Sequence, residues 1–156
     1  MDLKQLYQDI ILEHGKNPRN FGKCEGHNFE AKGYNPLCGD QVKVYLKLTK
    51  EKKVENLSFE GSGCAISMAS TSIMIELAKG KPAEVVKNII NSFLEMIKNA
   101  KEISSNELNE DQKIKIMSLS GVKKYPMRVK CATLAWHTLR SAIDGKKNEI
   151  NTEKFD

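Results

Sequence analysis

The chain of 156 residues is poor in the features that usually announce a function. It has three histidines, His14, His27 and His137, and no His-Glu-x-x-His pair, which argues against a zinc hydrolase. Residues 1–16 alternate charged with apolar side chains and contain neither a continuous apolar core nor a small-residue cleavage site, so no signal peptide, membrane anchor or membrane partner is expected. A reducing, cytoplasmic location is the corresponding expectation. Aromatic residues make up only 6%, and the net charge of +5 is spread over interleaved Lys and Glu, which offers no basic stripe for a nucleic acid. Internal repeats and low-complexity tracts are absent.

Cysteine is scarce as well, with four in the chain, yet three of the four occupy unusual contexts. They lie in Asn35-Pro36-Leu37-Cys38-Gly39-Asp40, in Gly61-Ser62-Gly63-Cys64-Ala65-Ile66-Ser67 and in Arg128-Val129-Lys130-Cys131-Ala132-Thr133. In a reducing compartment cysteines serve metals or chemistry more often than disulfides. A single domain spanning 1–156 is expected to bury roughly two thirds of its unfolded surface, so a metal is not needed merely to hold it together.

The periodicity describes an α+β protein. Leu3, Leu6, Tyr7, Ile10 and Ile11 recur at helical spacing, Asp2 is placed to cap the start, and Gly15 followed by Pro18 marks the stop. Val42, Val44, Leu46 and Leu48 alternate with Lys43, Tyr45 and Lys47, and Glu51-Lys52-Lys53 turns the chain into a second strand over 54–60. Those two strands pair as an antiparallel hairpin, and 29–34 supplies a third strand. A helix through small Ser and Ala residues follows Gly63 and lasts until Gly80. Pro82 opens another helix whose stripe is Val86, Ile90, Phe93 and Ile97, and a last helix runs from Pro126 to Gly145. The charged stretch 98–124 reads as an excursion with a short apolar group at Ile114, Ile116, Met117 and Leu119.

On this skeleton the cysteines acquire chemical roles. Cys38 and Asp40, two apart across Gly39 at the head of a strand, project from one face. Cys64 stands where a strand hands over to a helix, and the free N–H groups there favour a thiolate. Arg128, three residues before Cys131, puts a permanent positive charge on the cysteine's helical face. Three thiolates and a carboxylate complete a tetrahedral shell for zinc, and thiolates equally hold iron–sulfur clusters.

Competing readings are less economical. Any one of these cysteines alone fits an inert core position, but together the flanking glycines, carboxylate and arginine are not what packing requires. Gly61-x-Gly63 lacks the third glycine of a phosphate-binding fingerprint. Cys24-x-x-His27 has zinc-finger spacing without a second pair, which leaves a loop cysteine and a surface histidine. His14, in the last turn of its helix, reads as a partner of the helix dipole, and His137 lies about 240° round the helix from Cys131. With no histidine assigned as its base, a cysteine hydrolase is unattractive.

The three cysteine segments, together with His14-Gly15-Lys16-Asn17-Pro18-Arg19-Asn20-Phe21-Gly22, resemble the SufU branch of the IscU/NifU-N family of iron–sulfur cluster assembly proteins. The resemblance implies a three-stranded antiparallel sheet with helices packed on one side and a metal site at Cys38, Asp40, Cys64 and Cys131. Two marks of the IscU branch are missing: Lys130 replaces a histidine before the third cysteine, and Val122-Lys123-Lys124-Tyr125-Pro126 stands near the Leu-Pro-Pro-Val-Lys position. The long segment between Cys64 and Cys131 is also SufU-like. The resemblance therefore implies bound Zn2+ and a sulfur acceptor, Cys38 assisted by Arg128, that takes persulfide sulfur from a SufS-like cysteine desulfurase. Downstream assembly proteins or apo-proteins are then the onward partners. The alternatives are a non-enzymatic IscU-type scaffold that binds iron and builds a [2Fe–2S] cluster on the same residues, and a purely structural zinc module.

Overall fold

The computed structural model describes residues 2–99, 103, 106–146 and 148–154. An opening helix α1 (Leu3–Lys16) starts where the Asp2 side chain accepts a hydrogen bond from the N–H of Gln5, the capping expected from the sequence. Three strands follow, β1 (Phe29–Asn35), β2 (Asp40–Leu48) and β3 (Val54–Ser62). They form an antiparallel meander in which Asn35 pairs with Asp40 across the β1–β2 turn. Next come α2 (Ala65–Ala78), α3 (Ala83–Asn99), α4 (Glu110–Met117), a 3-10 turn (Ser120–Lys124) and α5 (Pro126–Ile143).

The alternation read in β2 is the alternation of the sheet's two faces. Val42, Val44 and Leu46 are buried in the core with Phe59, Ile73 and Trp136, while Gln41 is exposed and Lys43 and Lys47 are partly so on the opposite face. Val86, Ile90, Phe93 and Ile97 of α3 are all buried, and Phe93 stacks on Trp136 of α5 with ring centroids 4.0 Å apart. Segment 17–22 lies along the edge of β3, where Gly22 donates to the carbonyl of Phe59 and Phe59 donates to that of Asn20.

Two features differ from the sequence expectation. The sheet is four-stranded and mixed, in the order β3-β2-β1-β4, because β4 (Ile150–Asn151) adds to β1 in parallel, pairing Gly33 with Ile150 and Tyr34 with Asn151. A three-stranded antiparallel sheet is therefore incorrect. A two-residue strand has no period to read, and the free edge of β1 rather than local pattern recruits it. The excursion at 98–124, as far as it lies within the described residues, is also more ordered than its composition implied: Ile103, Leu108, Ile116 and Leu119 are buried. Helix α4 begins with a reciprocal capping box between Asn109 and Gln112, and Lys115 joins it to Glu76 of α2 at 2.8 Å.

Candidate metal centre

The turn between β1 and β2 carries Cys38, and Asp40 opens β2 at a position with no exposed surface. Helix α5, packed against β1 and β2, starts at Pro126 and presents the buried Cys131 in its second turn. The ligand atoms of Cys38, Asp40 and Cys131 all lie within 4.8 Å of one another. Cys131 Sγ is 3.3 Å from Cys38 Sγ. The side chain of Cys64 is not in this group; the residue is the N-cap of α2, and its backbone N–H donates to Asp40 Oδ1 at 2.9 Å.

Asp40 is held from both sides, since Asn35 Nδ2 donates to its Oδ2 at 2.9 Å. The two glycines before Cys64 have steric reasons rather than phosphate-binding ones. A Cβ on Gly61 would sit 2.3 Å from the carbonyl oxygen of Gln41, and one on Gly63, which has φ +153°, would sit 2.3 Å from Asp40 Oδ1. The glycines thus let β3 and the entry to α2 close tightly over the carboxylate.

Burial, together with hydrogen bonds to Asp40 and Cys38, pushes the Cys131 thiol well above the ordinary cysteine range. Arg128 stands exposed beside the site, and the sulfurs of Cys64 and Cys131 raise its own pKa further. The donor set fits a metal. Each oxygen of Asp40 accepts one N–H and keeps capacity for a cation, and thiolate sulfur with one carboxylate suits zinc or protein-bound iron. A cation bound there would counter the burial that disfavours a Cys131 thiolate.

The remaining candidates lie elsewhere. Cys24 is buried with its Sγ against the Glu25 carbonyl, and His27 Nδ1 is 2.9 Å from the Cys24 carbonyl oxygen with its ring edge-on to Tyr45. His137 Nδ1 accepts from Arg140 at 3.1 Å. His14 is not a simple dipole partner: it is buried, and its Nδ1 is 2.8 Å from Ser72 Oγ, which also accepts the N–H of Arg19. Asn35 is the site residue that sequence reasoning missed. It lies inside the first cysteine motif, but only the pairing of Asn35 with Asp40 across the hairpin reveals its contact.

The chain matches the NifU-like N terminal domain family over residues 6–132. It is 38% identical over 142 residues to the zinc-dependent sulfurtransferase SufU of Bacillus subtilis (strain 168), covering 91% of this chain and 92% of that protein. It is 36% identical over 146 residues to the iron–sulfur cluster assembly scaffold protein IscU of Streptococcus pyogenes serotype M1, covering 94% and 87%. The crystal structure of a putative iron–sulfur cluster assembly scaffold protein for the SUF system from Fervidobacterium islandicum AW-1 matches with a TM-score of 0.77 at 36% identity, over 89% of this chain and 97% of that one. By sequence and by fold, then, the chain belongs to the NifU-like N-terminal domain family, alongside the SufU and IscU proteins.

Proposed function

We propose that this protein is a zinc-binding sulfur acceptor of iron–sulfur cluster assembly, working in the cytoplasm, which takes persulfide sulfur from a SufS-like cysteine desulfurase. The observation that carries the reading is the convergence of Cys38, Asp40 and Cys131 within 4.8 Å, drawn from a turn, a strand and a helix. Cys64, at the mouth of α2, is the fourth ligand in this reading; rotation about its χ1 bond moves Sγ without moving the backbone. The identity to the Bacillus subtilis zinc-dependent sulfurtransferase supports zinc as the resident metal.

Bound zinc keeps the sulfurs as thiolates near neutral pH and shields them from oxidation. Cys38 is the acceptor because it is partly exposed on a turn, whereas Cys131 is buried in a helix. Its thiolate attacks the outer sulfur of the desulfurase persulfide. The S–S bond of that persulfide breaks, the desulfurase cysteine leaves as a thiolate, and Cys38 carries the new S–S bond, with no net oxidation. Arg128 stabilises the sulfur anions from outside while the N–H groups of Asn35 and Cys64 hold the carboxylate of Asp40.

The test is direct. Protein purified without oxygen should carry close to one zinc per chain. After incubation with a cysteine desulfurase and cysteine, peptide mapping under non-reducing conditions should place the added sulfur on Cys38, and Cys38→Ser should abolish it. Cys64→Ser should sharply lower zinc content and Cys24→Ser should not. A persulfide that appears first on Cys131, in a protein that then assembles a [2Fe–2S] cluster from added iron, would replace this reading with the scaffold one.

A further inference from the structure

We propose that Thr152 and Asn35 form a positioning pair for the sulfur centre, through which the turn that follows β4 sets the orientation of Asp40 and Cys131. The inference rests on the reading of those residues as metal ligands. Both Asn35 and Thr152 are fully buried. The Asn35 amide makes three contacts there: Nδ2 donates to Asp40 Oδ2 at 2.9 Å and to Cys131 Sγ at 3.5 Å, and Oδ1 accepts from Thr152 Oγ1 at 2.8 Å.

The chemistry fixes the direction of each bond. An ionised carboxylate only accepts, so the amide must turn its NH2 toward Asp40, which leaves its oxygen toward Thr152 and obliges the hydroxyl to donate. With that donor in place, the amide has one orientation, and both of its hydrogens point at proposed ligands. The strand register explains how Thr152 arrives there. Tyr34 pairs with Asn151 in the parallel β1–β4 ladder, so Asn35, the last residue of β1, comes beside Thr152, which follows β4 and opens a short 3-10 turn (Thr152–Lys154). The family match ends at residue 132, so it does not reach Thr152. Partners that orient ligands in this way change metal affinity by about 10- to 100-fold when removed.

The experiment compares Thr152→Val, which keeps the shape and loses the donor, with Thr152→Ser, which keeps the donor, in the full chain. Zinc release to excess EDTA is timed, absorption of the cobalt(II)-loaded protein is recorded, and thermal unfolding is followed in parallel. Thr152→Val should release zinc about tenfold faster than the parent and shift the cobalt bands, while Thr152→Ser stays within about twofold. Should Thr152→Val fail to fold, Thr152→Ala carries the same comparison with a smaller side chain. A donor-less variant with a lowered melting temperature but the parent's release rate and cobalt spectrum would make Thr152 only an anchor for β4 and overturn the inference, with the metal reading intact. A parent protein that takes up neither zinc nor cobalt would overturn the metal reading itself, and the inference with it.

Discussion

The Sγ of Cys131 lies 3.3 Å from the Sγ of Cys38, although 93 positions separate them in the sequence. A disulfide requires about 2.05 Å, and Cys38 sits on a turn that can close the difference. Protein stripped of metal and treated with diamide should therefore form a Cys38–Cys131 disulfide, two thiols giving two protons and two electrons to the diamide. Zinc-loaded protein should resist. Non-reducing peptide mapping checks both, and equal oxidation of the two forms, or a first bridge to Cys24, would contradict the proposed site.

The way Asp40 is enclosed gives a second expectation. Gly63→Ala places a Cβ 2.3 Å from Asp40 Oδ1 at a φ of +153°, so either the carboxylate or the entry to α2 must move. Such strain costs about 1–3 kcal/mol and should lower the melting temperature and, through displacement of the adjoining Cys64 at the entry to α2, the zinc content. Gly121→Ala, whose Cβ meets nothing within 4 Å, should leave both nearly unchanged and serves as the control.

Much of this geometry could be read in the sequence, for identifiable reasons. The Val42, Val44, Leu46 alternation and the Val86 to Ile97 stripe are periodic, so burial follows from spacing alone. Arg128 with Cys131 is a local pair one helical turn apart, whereas Cys38 lies in the turn before β2 rather than in the strand, so its approach to Asp40 comes from the turn and not from strand alternation. The missed elements depend on partners distant in sequence. Helix α4 is largely polar, and its readable signal was the capping box at Asn109 and Gln112 rather than its apolar residues. His14 resembled a helix-end histidine because Ser72, its actual partner, lies 58 residues away. Asn35 meets Asp40 only through the hairpin pairing, and it meets Thr152, 117 positions on, only because the β1–β4 pairing brings the chain back there.

His137 gives a pH dependence of known sign. Burial, then the neighbouring Arg140, lowers its pKa from 6.5 to about 4, and its Nδ1 accepts from that arginine in the folded chain. The unfolded chain binds the proton more readily, so this contribution to stability is intact above pH 6.5 and fades as pH falls toward 4. At pH 5 the loss amounts to about 2 kcal/mol. Thermal unfolding of metal-free protein from about pH 7.5 to about pH 4.5, in steps of about half a unit, should show it, and His137→Gln should flatten the profile. An unchanged slope in that variant would assign the acid sensitivity to other groups.

Asp40 offers the sharpest separation of binding from transfer. If zinc is held as proposed, Asp40→Ala leaves the three cysteines and room for a water, so zinc should be retained, while sulfur acceptance by Cys38 falls because the altered shell hinders the ligand exchange that frees Cys38. The substitution also strands the N–H groups of Asn35 and Cys64, at about 1–3 kcal/mol for each that finds no water. Asp40→Asn, nominally conservative, should be no better tolerated. Donors approach both carboxylate oxygens, so whichever way the new amide turns, its NH2 faces an N–H. Zinc content, melting temperature and persulfide on Cys38 would be measured for both variants. A parent-like melting temperature for Asp40→Asn would show that the two N–H groups do not hold the carboxylate, and full sulfur acceptance by Asp40→Ala would make Asp40 incidental to transfer.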